Sequence, residues 1–225
     1  MAVVYGDFNC PYSYLASQRA DLLSRAGALV VDWRAVEHDR GLSVTGSRTD
    51  SDRAARDREL AEVASLAVPG EHVPATPPAV VSNTEAAVAA YAEAVSDDIG
   101  GELRRRLFRA VWVDGRNLSS ADEVRRLITA VMWPQEDITR DGQPLTTAGW
   151  CRIRRWRQDW LALPSQVIPV VIGPDHVVRS GAGTLRYLAG LCAAAHGEPQ
   201  LPAQAGTTGD HHQFPGTALA REYTV

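Results

Sequence analysis

Residues 3–25, VVYGDFNCPYSYLASQRADLLSR, decide how this chain is read. Val3, Val4, Tyr5 and Phe8 form a β-prone run, interrupted by Gly6 and Asp7 and ending at Asn9. From Pro11 the spacing changes. Tyr14, Leu15, Leu22 and Leu23 recur at near-helical intervals and predict a helix to about residue 25. Pro11 suits the first helical turn, where a missing N–H costs nothing. Gly27 stands where a helix C-cap is expected. Residues 29–36 (LVVDWRAV) read as a second strand. The order β-α-β favours a parallel pair with a right-handed crossover.

Cys10 therefore stands where a strand hands over to a helix. Unsatisfied N–H groups and the macrodipole at such a place favour the thiolate. Ser13 follows three residues later on the same helical face, so its hydroxyl is within reach of the sulfur. Position alone leaves two readings open: a nucleophile, or a buried and inert cysteine.

Outward from this stretch the pattern changes. Residues 51–67 are charged and Ala-rich and predict a helix; residues 68–81 hold Pro69, Pro74, Pro77 and Pro78 and read as loop. Ser82 or Asn83 is placed to cap a helix to about residue 95. Another is predicted over 102–113, ending before Gly115. Ser120 and Glu123 have capping-box spacing ahead of Val124, Leu127, Ile128 and Val131. Residues 133–144 read as loop, and Thr147 is placed to cap a helix to Trp160. No strand is expected between about 45 and 160. A strand is expected at 166–172 (QVIPVVI), then a Gly173-Pro174-Asp175 turn, a second hairpin arm at 176–179 and a helix over 184–195. Without the helical block the order is βαβ-ββα. The fold class is thus α/β, a thioredoxin fold with a large all-helical insertion. The expected parts are 1–45 and 161–197 for the thioredoxin-like domain, 46–160 for the insertion, and 198–225 for an extended tail rich in Pro, Gly and Thr.

Composition narrows the function. The chain has 225 residues and a formal charge of −4, with all 23 basic residues arginine. A mildly acidic chain argues against general nucleic-acid binding. The basic run at 151–160 (CRIRRWRQDW) reads as a helix with a solvated arginine face. No apolar segment is long enough to span a membrane, and no basic leader follows Met1. The odd, widely spaced set of Cys10, Cys151 and Cys192 is not a disulfide framework, so a reduced cytoplasmic setting is the expectation. Cys192, within LAGLCAAA, reads as core. His211 and His212 lack partners at ligand spacing, and no metal site is expected. His38 reads as a base or a surface residue, Trp112 as packing, and Arg116 as a carboxylate partner or solvated.

Residues 6–23 (GDFNCPYSYLASQRADLL), 82–91 (SNTEAAVAAY), 107–128 (LFRAVWVDGRNLSSADEVRRLI) and 167–188 around Pro169 resemble the DsbA-like thioredoxin family. That family includes FrnE-type oxidoreductases, 2-hydroxychromene-2-carboxylate isomerases and kappa-class glutathione transferases. The resemblance implies a cis Pro169 facing the active site, with the backbone of Ile168 pairing with substrate. It implies a catalytic pair, Cys10 and Ser13, and a binding surface made by Asn9, Pro11, Tyr12, Ile168, Pro169 and Gly181. Two departures matter. Redox members carry Cys-x-x-Cys, and here the second position is Ser13. The transferases' Gly-Ser-Asp for the glutamyl end of glutathione appears as Gly181-Ala182-Gly183, leaving a Gly-rich turn for an anionic group.

The first expectation is a monothiol thiol–disulfide oxidoreductase acting on a small-molecule or peptide disulfide. It has no tightly bound cofactor; a low-molecular-weight thiol such as glutathione or mycothiol clears the mixed disulfide. The second is a thiol-dependent isomerase or transferase acting on an aromatic carboxylate. The third is a non-catalytic binding protein on the same fold. Many relatives pair as dimers, so a homodimer is one expected assembly.

Overall fold

The computed structural model describes residues 1–97, 99–132, 146–195 and 197. The sheet is built around β1 (Ala2–Gly6), which runs parallel to β2 (Val31–Ala35) with Ala2 opposite Val31 and Gly6 opposite Ala35. On its other side β1 pairs antiparallel with β5 (Val170–Ile172), and β5 pairs with β6 (Val178–Ser180). The strand order is β2-β1-β5-β6. This is the βαβ-ββα arrangement of a thioredoxin fold, with α1 (Pro11–Arg25) as the crossover and α7 (Ala182–Ala195) packed against it.

Helix α1 has the predicted bounds because its ends are written locally. Pro11 occupies the first turn. At the other end Gly27 takes φ +65°, and the N–H groups of Gly27 and Ala28 return to Ser24 O and Leu23 O. That is a Schellman closure, which favours a glycine at this position.

Between β2 and β5 lie α2 (Arg53–Ser65), α3 (Glu85–Ala94), α4 (Gly100–Trp112), α5 (Ala121–Met132) and α6 (Thr147–Leu161). The expectation of no strand in this stretch needs correcting: β3 (Ser47–Arg48) and β4 (Val80–Val81) form a small antiparallel ribbon. Two residues are too short to show an alternating pattern, and the pairing is made by chain segments far apart in sequence. The caps also move. Helix α3 is entered from Thr84, while Ser82 Oγ accepts Leu118 N–H at 2.9 Å and Asn83 Oδ1 accepts Glu85 N–H at 3.0 Å. Helix α6 is capped by Thr146, whose hydroxyl accepts Gly149 N–H at 3.1 Å, one residue before the expected Thr147. Strand β5 starts after Pro169 rather than at 166, since proline has no N–H for the ladder. The hairpin arm begins at Val178, because His176 takes φ 59° in the turn. The expected loop at 133–144 and tail at 198–225, with His211 and His212, lie outside the described residues.

One hydrophobic core joins the sheet to the helical block. Phe8, just past β1, sits between Tyr91 of α3 and Phe108 of α4, with ring centroids at 6.2 and 5.0 Å. Trp33 of β2 meets Phe108 edge-on at 5.7 Å. On α6, Trp156 and Trp160 are buried and Arg154 and Arg155 are exposed, so the basic run is a helix with a solvated face; Arg152 and Arg157 turn inward to Ala92 O and Glu37 O.

A buried ion pair ties α1 to the Pro-rich loop and α7. Arg19 and Glu71 have side-chain exposures of 0% and 2%, with Arg19 Nε 2.6 Å from Glu71 Oε1. The guanidinium also donates to Leu66 O at 2.6 Å and to Leu185 O. Glu71 accepts Val68 N–H at 2.8 Å. Removing one partner of such a pair strands the other charge out of water, at about 3–5 kcal/mol. Arg19→Met is therefore expected to lower unfolding stability by about that much, and Arg19→Met with Glu71→Gln to recover most of it. Urea denaturation of the two variants checks this; equal losses would show that the pair's other hydrogen bonds dominate.

Candidate active site

The turn from β1 to α1 carries the thiol. Cys10 is the N-cap of α1 with φ −95° and ψ 121°, and its side chain makes no capping bond. Its sulfur points at Ile168 O, 3.8 Å away, and the Ile168–Pro169 bond is cis. The turn is tightly packed. A Cβ on Gly6 would lie 2.6 Å from the Trp33 ring and 3.0 Å from Ser13 Oγ, so this position needs glycine.

Asp7 organises the polar side of the turn. Its side chain is 2% exposed. Oδ1 accepts Asn9 N–H at 3.1 Å and the Thr84 hydroxyl at 2.9 Å; Oδ2 accepts His38 N–H and faces His38 Nδ1, both at 3.0 Å. The Asp7 N–H donates to Ser13 Oγ at 3.3 Å. Asn9 adds a two-point tie, its amide donating to Ser82 O and accepting Ser82 N–H at 3.1 Å. Strand, helix and helical block thus converge on three consecutive residues before the thiol.

Burial changes the ionisation expected of Cys10. The residue is 7% exposed, and loss of water pushes the thiol up to about 12. The Ser13 hydroxyl and N–H pull the other way, and the charges of Glu59 and Asp7 add to the rise. The expected stabilised thiolate is thus corrected for the closed site: desolvation outweighs the helix terminus.

The structure brings most of the expected site residues together. Asn9 and Pro11 line a shallow cleft with Arg56, Glu59, Pro78 and Trp112, whose cavity volume of about 10 Å³ is room for about one water. Tyr12 donates to Glu62 at 2.7 Å, tying α1 to α2. Gly181, with φ +51°, spends its N–H on Val167 O at 3.2 Å and Pro169 O at 2.8 Å, and Thr184 Oγ1 donates to Pro169 O at 2.8 Å. Of the expected Gly181-Ala182-Gly183 turn, the Gly181 N–H is thus spent on the Pro169 segment. Trp112 Nε1–H donates to Phe8 O at 2.9 Å, and Arg116 pairs with Glu123 at 2.7 Å. Cys192 is buried with its sulfur 3.8 Å from Arg19 O, Cys151 is exposed on α6, and none of the three cysteines is in a disulfide. Among the described residues no group of three or more His, Cys, Asp or Glu is arranged to hold a metal, and no helix is long and apolar enough to cross a membrane.

Asp7, Thr84, Arg56 and Glu59 were not singled out from sequence. Asp7 carried a usable signal, a charge between an apolar strand and a thiol. The α2 charges look like any others in a solvated helix.

The Asp7 hydrogen bond is the main cause holding His38 above its ordinary value; burial and Arg56 oppose it, and Asp39 adds to it. A raised folded-state value means that the pair's contribution is complete below the unfolded histidine value, about 6.5, and is lost as pH rises through the folded one. His38→Asn is thus expected to cost more stability at about pH 6 than at about pH 9. Urea unfolding at both pH values checks the sign; a cost that grows with pH would contradict it.

Comparisons with known proteins place this arrangement. No protein of curated function matches the sequence. The solved structure of a probable DsbA oxidoreductase from Streptomyces coelicolor is similar at 16% identity and TM-score 0.59, covering 89% of this chain and 91% of that one. A 2-hydroxychromene-2-carboxylate isomerase is similar at 16% identity and TM-score 0.54, over 87% of this chain and 98% of that one. The cytosolic disulfide reductase DsbM from Pseudomonas aeruginosa is similar at 17% identity and TM-score 0.53, over 87% and 97%. At these identities the likenesses concern the fold. The sequence model of the DSBA-like thioredoxin domain matches residues 2–143, more than half of the chain, and the chain therefore belongs to the DSBA-like thioredoxin domain family.

Proposed function

We propose that this chain is a thiol–disulfide oxidoreductase that works with one cysteine. The observation that supports it best is the placement of Cys10 at the head of α1, its sulfur directed at Ile168 O beside the cis Pro169. In this reading the Cys10 thiolate attacks one sulfur of a substrate disulfide. A mixed disulfide forms at Cys10 and one thiolate leaves, taking up a proton from water. Ser13 cannot resolve the adduct, so an external small thiol, of the glutathione or mycothiol kind, attacks it and returns the Cys10 thiolate. The backbone of Ile168 and Pro169 flanks the extended substrate, and Asn9, Pro11 and Tyr12 form the surface around it. The resting thiol is protonated; displacing the Ile168 contact rehydrates the sulfur and leaves the Ser13 hydroxyl and the helix N-terminus to stabilise the thiolate. A reducing cytoplasm supplies the external thiol.

A second reading rests on the same burial. A thiol pushed up to about 12 is a poor resting nucleophile. It suits a thiol-dependent isomerase or transferase, in which Cys10 contacts the sulfur of a bound thiol and no net redox change occurs.

The deciding measurement incubates the protein with a small disulfide and maps the adduct by peptide mass. The redox reading expects one adduct on Cys10, one released thiol, clearance by added glutathione or mycothiol, and loss of all three in Cys10→Ser. Absence of the Cys10 adduct would overturn it in favour of the isomerase reading. Ser13→Cys is a further test. It places a second thiol on the same helical face, and the adduct is expected to give way to an internal disulfide, read as loss of two thiols without added mass.

A further inference from the structure

Cys10 is 7% exposed, so a substrate sulfur reaches it only after one of the walls around the turn moves. Two of these walls are firmly fixed. The Ile168–Pro169 segment is held by Pro169 O, which accepts the Gly181 N–H and the Thr184 hydroxyl, both at 2.8 Å, and by Val167 O, which accepts the Gly181 N–H at 3.2 Å. On the other side Phe8 O accepts the Trp112 indole N–H at 2.9 Å, and the Asn9 amide is paired twice with Ser82. The third wall is α2. Its residues Arg56, Glu59 and Leu60 face Asn9 and Pro11, the residues on either side of Cys10, across a gap with room for about one water. Next to them Glu62 accepts the Tyr12 hydroxyl at 2.7 Å.

Helix α2 is held down weakly along its length. Of its 13 residues only Leu60 and Val63 are buried, whereas α4, of the same length, buries eight. Its N-cap, Asp52, makes no side-chain capping bond, and its ion pairs, Arg53–Asp57 and Arg56–Glu59, lie within the helix. Its two ends, by contrast, are pinned. Ahead of it, the Thr49 N–H donates to Ala79 O at 3.0 Å and the Thr49 hydroxyl to Pro78 O at 2.6 Å; behind it, Leu66 O accepts Arg19 at 2.6 Å. Among the described residues the Tyr12–Glu62 bond is the one side-chain hydrogen bond that joins α2 to the fold between those pins. A segment with few buried apolar contacts and an exposed tie opens at low cost. Resting on the reading of Cys10 as the thiol that meets the substrate, we propose that α2 is a cover over the thiol turn, hinged near residues 49 and 66 and latched by the hydrogen bond from Tyr12 to Glu62. Release of the latch lifts α2 from Asn9, Pro11 and Tyr12 and admits the substrate sulfur to Cys10.

The test uses the full chain and the neutral alkylating reagent iodoacetamide at one fixed pH, with the label located by peptide mass. Tyr12→Phe and Glu62→Ala are each expected to speed labelling of Cys10 about fivefold, the loss of one hydrogen bond. The two changes act oppositely on the charge near the turn: Tyr12→Phe leaves the Glu62 carboxylate without its donor, whereas Glu62→Ala removes the carboxylate. Faster labelling in both variants is therefore opening, and faster labelling in Glu62→Ala alone is a charge effect that would overturn the latch. Cys192, buried beneath α7 far along the chain, is the internal standard. Its labelling is expected to stay unchanged; a rise in step with Cys10 would mean global unfolding and would overturn the cover, as would unchanged Cys10 labelling in both variants. Amide exchange of the wild type decides the matter if a variant does not fold. The α2 amides are expected to exchange ahead of those of α1 and α3, and equal protection would overturn the cover. None of these readouts uses a disulfide, so the cover stands or falls separately from the mixed-disulfide reading.

Discussion

The architecture around the thiol depends on one buried carboxylate. Asp7 has almost no contact with water, and an uncompensated charge there would be costly. It receives the Asn9 and His38 N–H groups, the Thr84 hydroxyl and the His38 ring. Those donors come from the turn itself, from the residues after β2 and from the entry to α3. The requirement that this carboxylate be satisfied thus holds three chain segments together, with Cys10 three residues beyond. Thr84 illustrates the exchange: at the N-cap of α3 its hydroxyl serves Asp7 rather than the helix.

The same closeness that orders the turn works against the thiol. A helix N-terminus and the Ser13 hydroxyl favour the charged sulfur, yet dehydration beneath Ile168 has the larger effect. Position in the fold and state of ionisation are therefore separate properties. A cysteine can occupy the reactive place of a thioredoxin fold and still be protected at rest. In the proposed reading, its chemistry belongs to the conformation in which substrate, rather than Ile168, faces the sulfur.

The helical block is not an appendage to the sheet. Phe8 leaves β1 to pack between Tyr91 and Phe108, Trp112 donates to Phe8 O, and Asn9 pairs with the backbone of Ser82. The block supplies a wall of the cleft beside the turn, while the sheet and α1 supply the sulfur itself. Arg19 closes the other side by anchoring the Pro-rich loop to α1 and α7.

Local signals were enough for much of this. Pro11, the apolar spacing of α1 and the Gly27 closure act within a few residues, and so the sequence by itself determined α1, the β-α-β start, the position of Cys10 at a helix head and the family resemblance. The caps of α3 and α6, the β3–β4 ribbon and the start of β5 were misplaced or missed because each is set by partners distant in the chain. The same holds at the site. Asp7 and Asn9 could be read as neighbours of a thiol, but not as the points where residues 82 and 84 attach. The Gly-rich spacing of Gly181 and Gly183 does not show that the Gly181 N–H is spent on Pro169 O. Only the tertiary structure decided that the thiol is dehydrated, that Asp7 is the hub, and that Arg56 and Glu59 face the cleft. Solvation and pairing depend on which groups long-range packing brings within a few ångströms, and no local pattern records that.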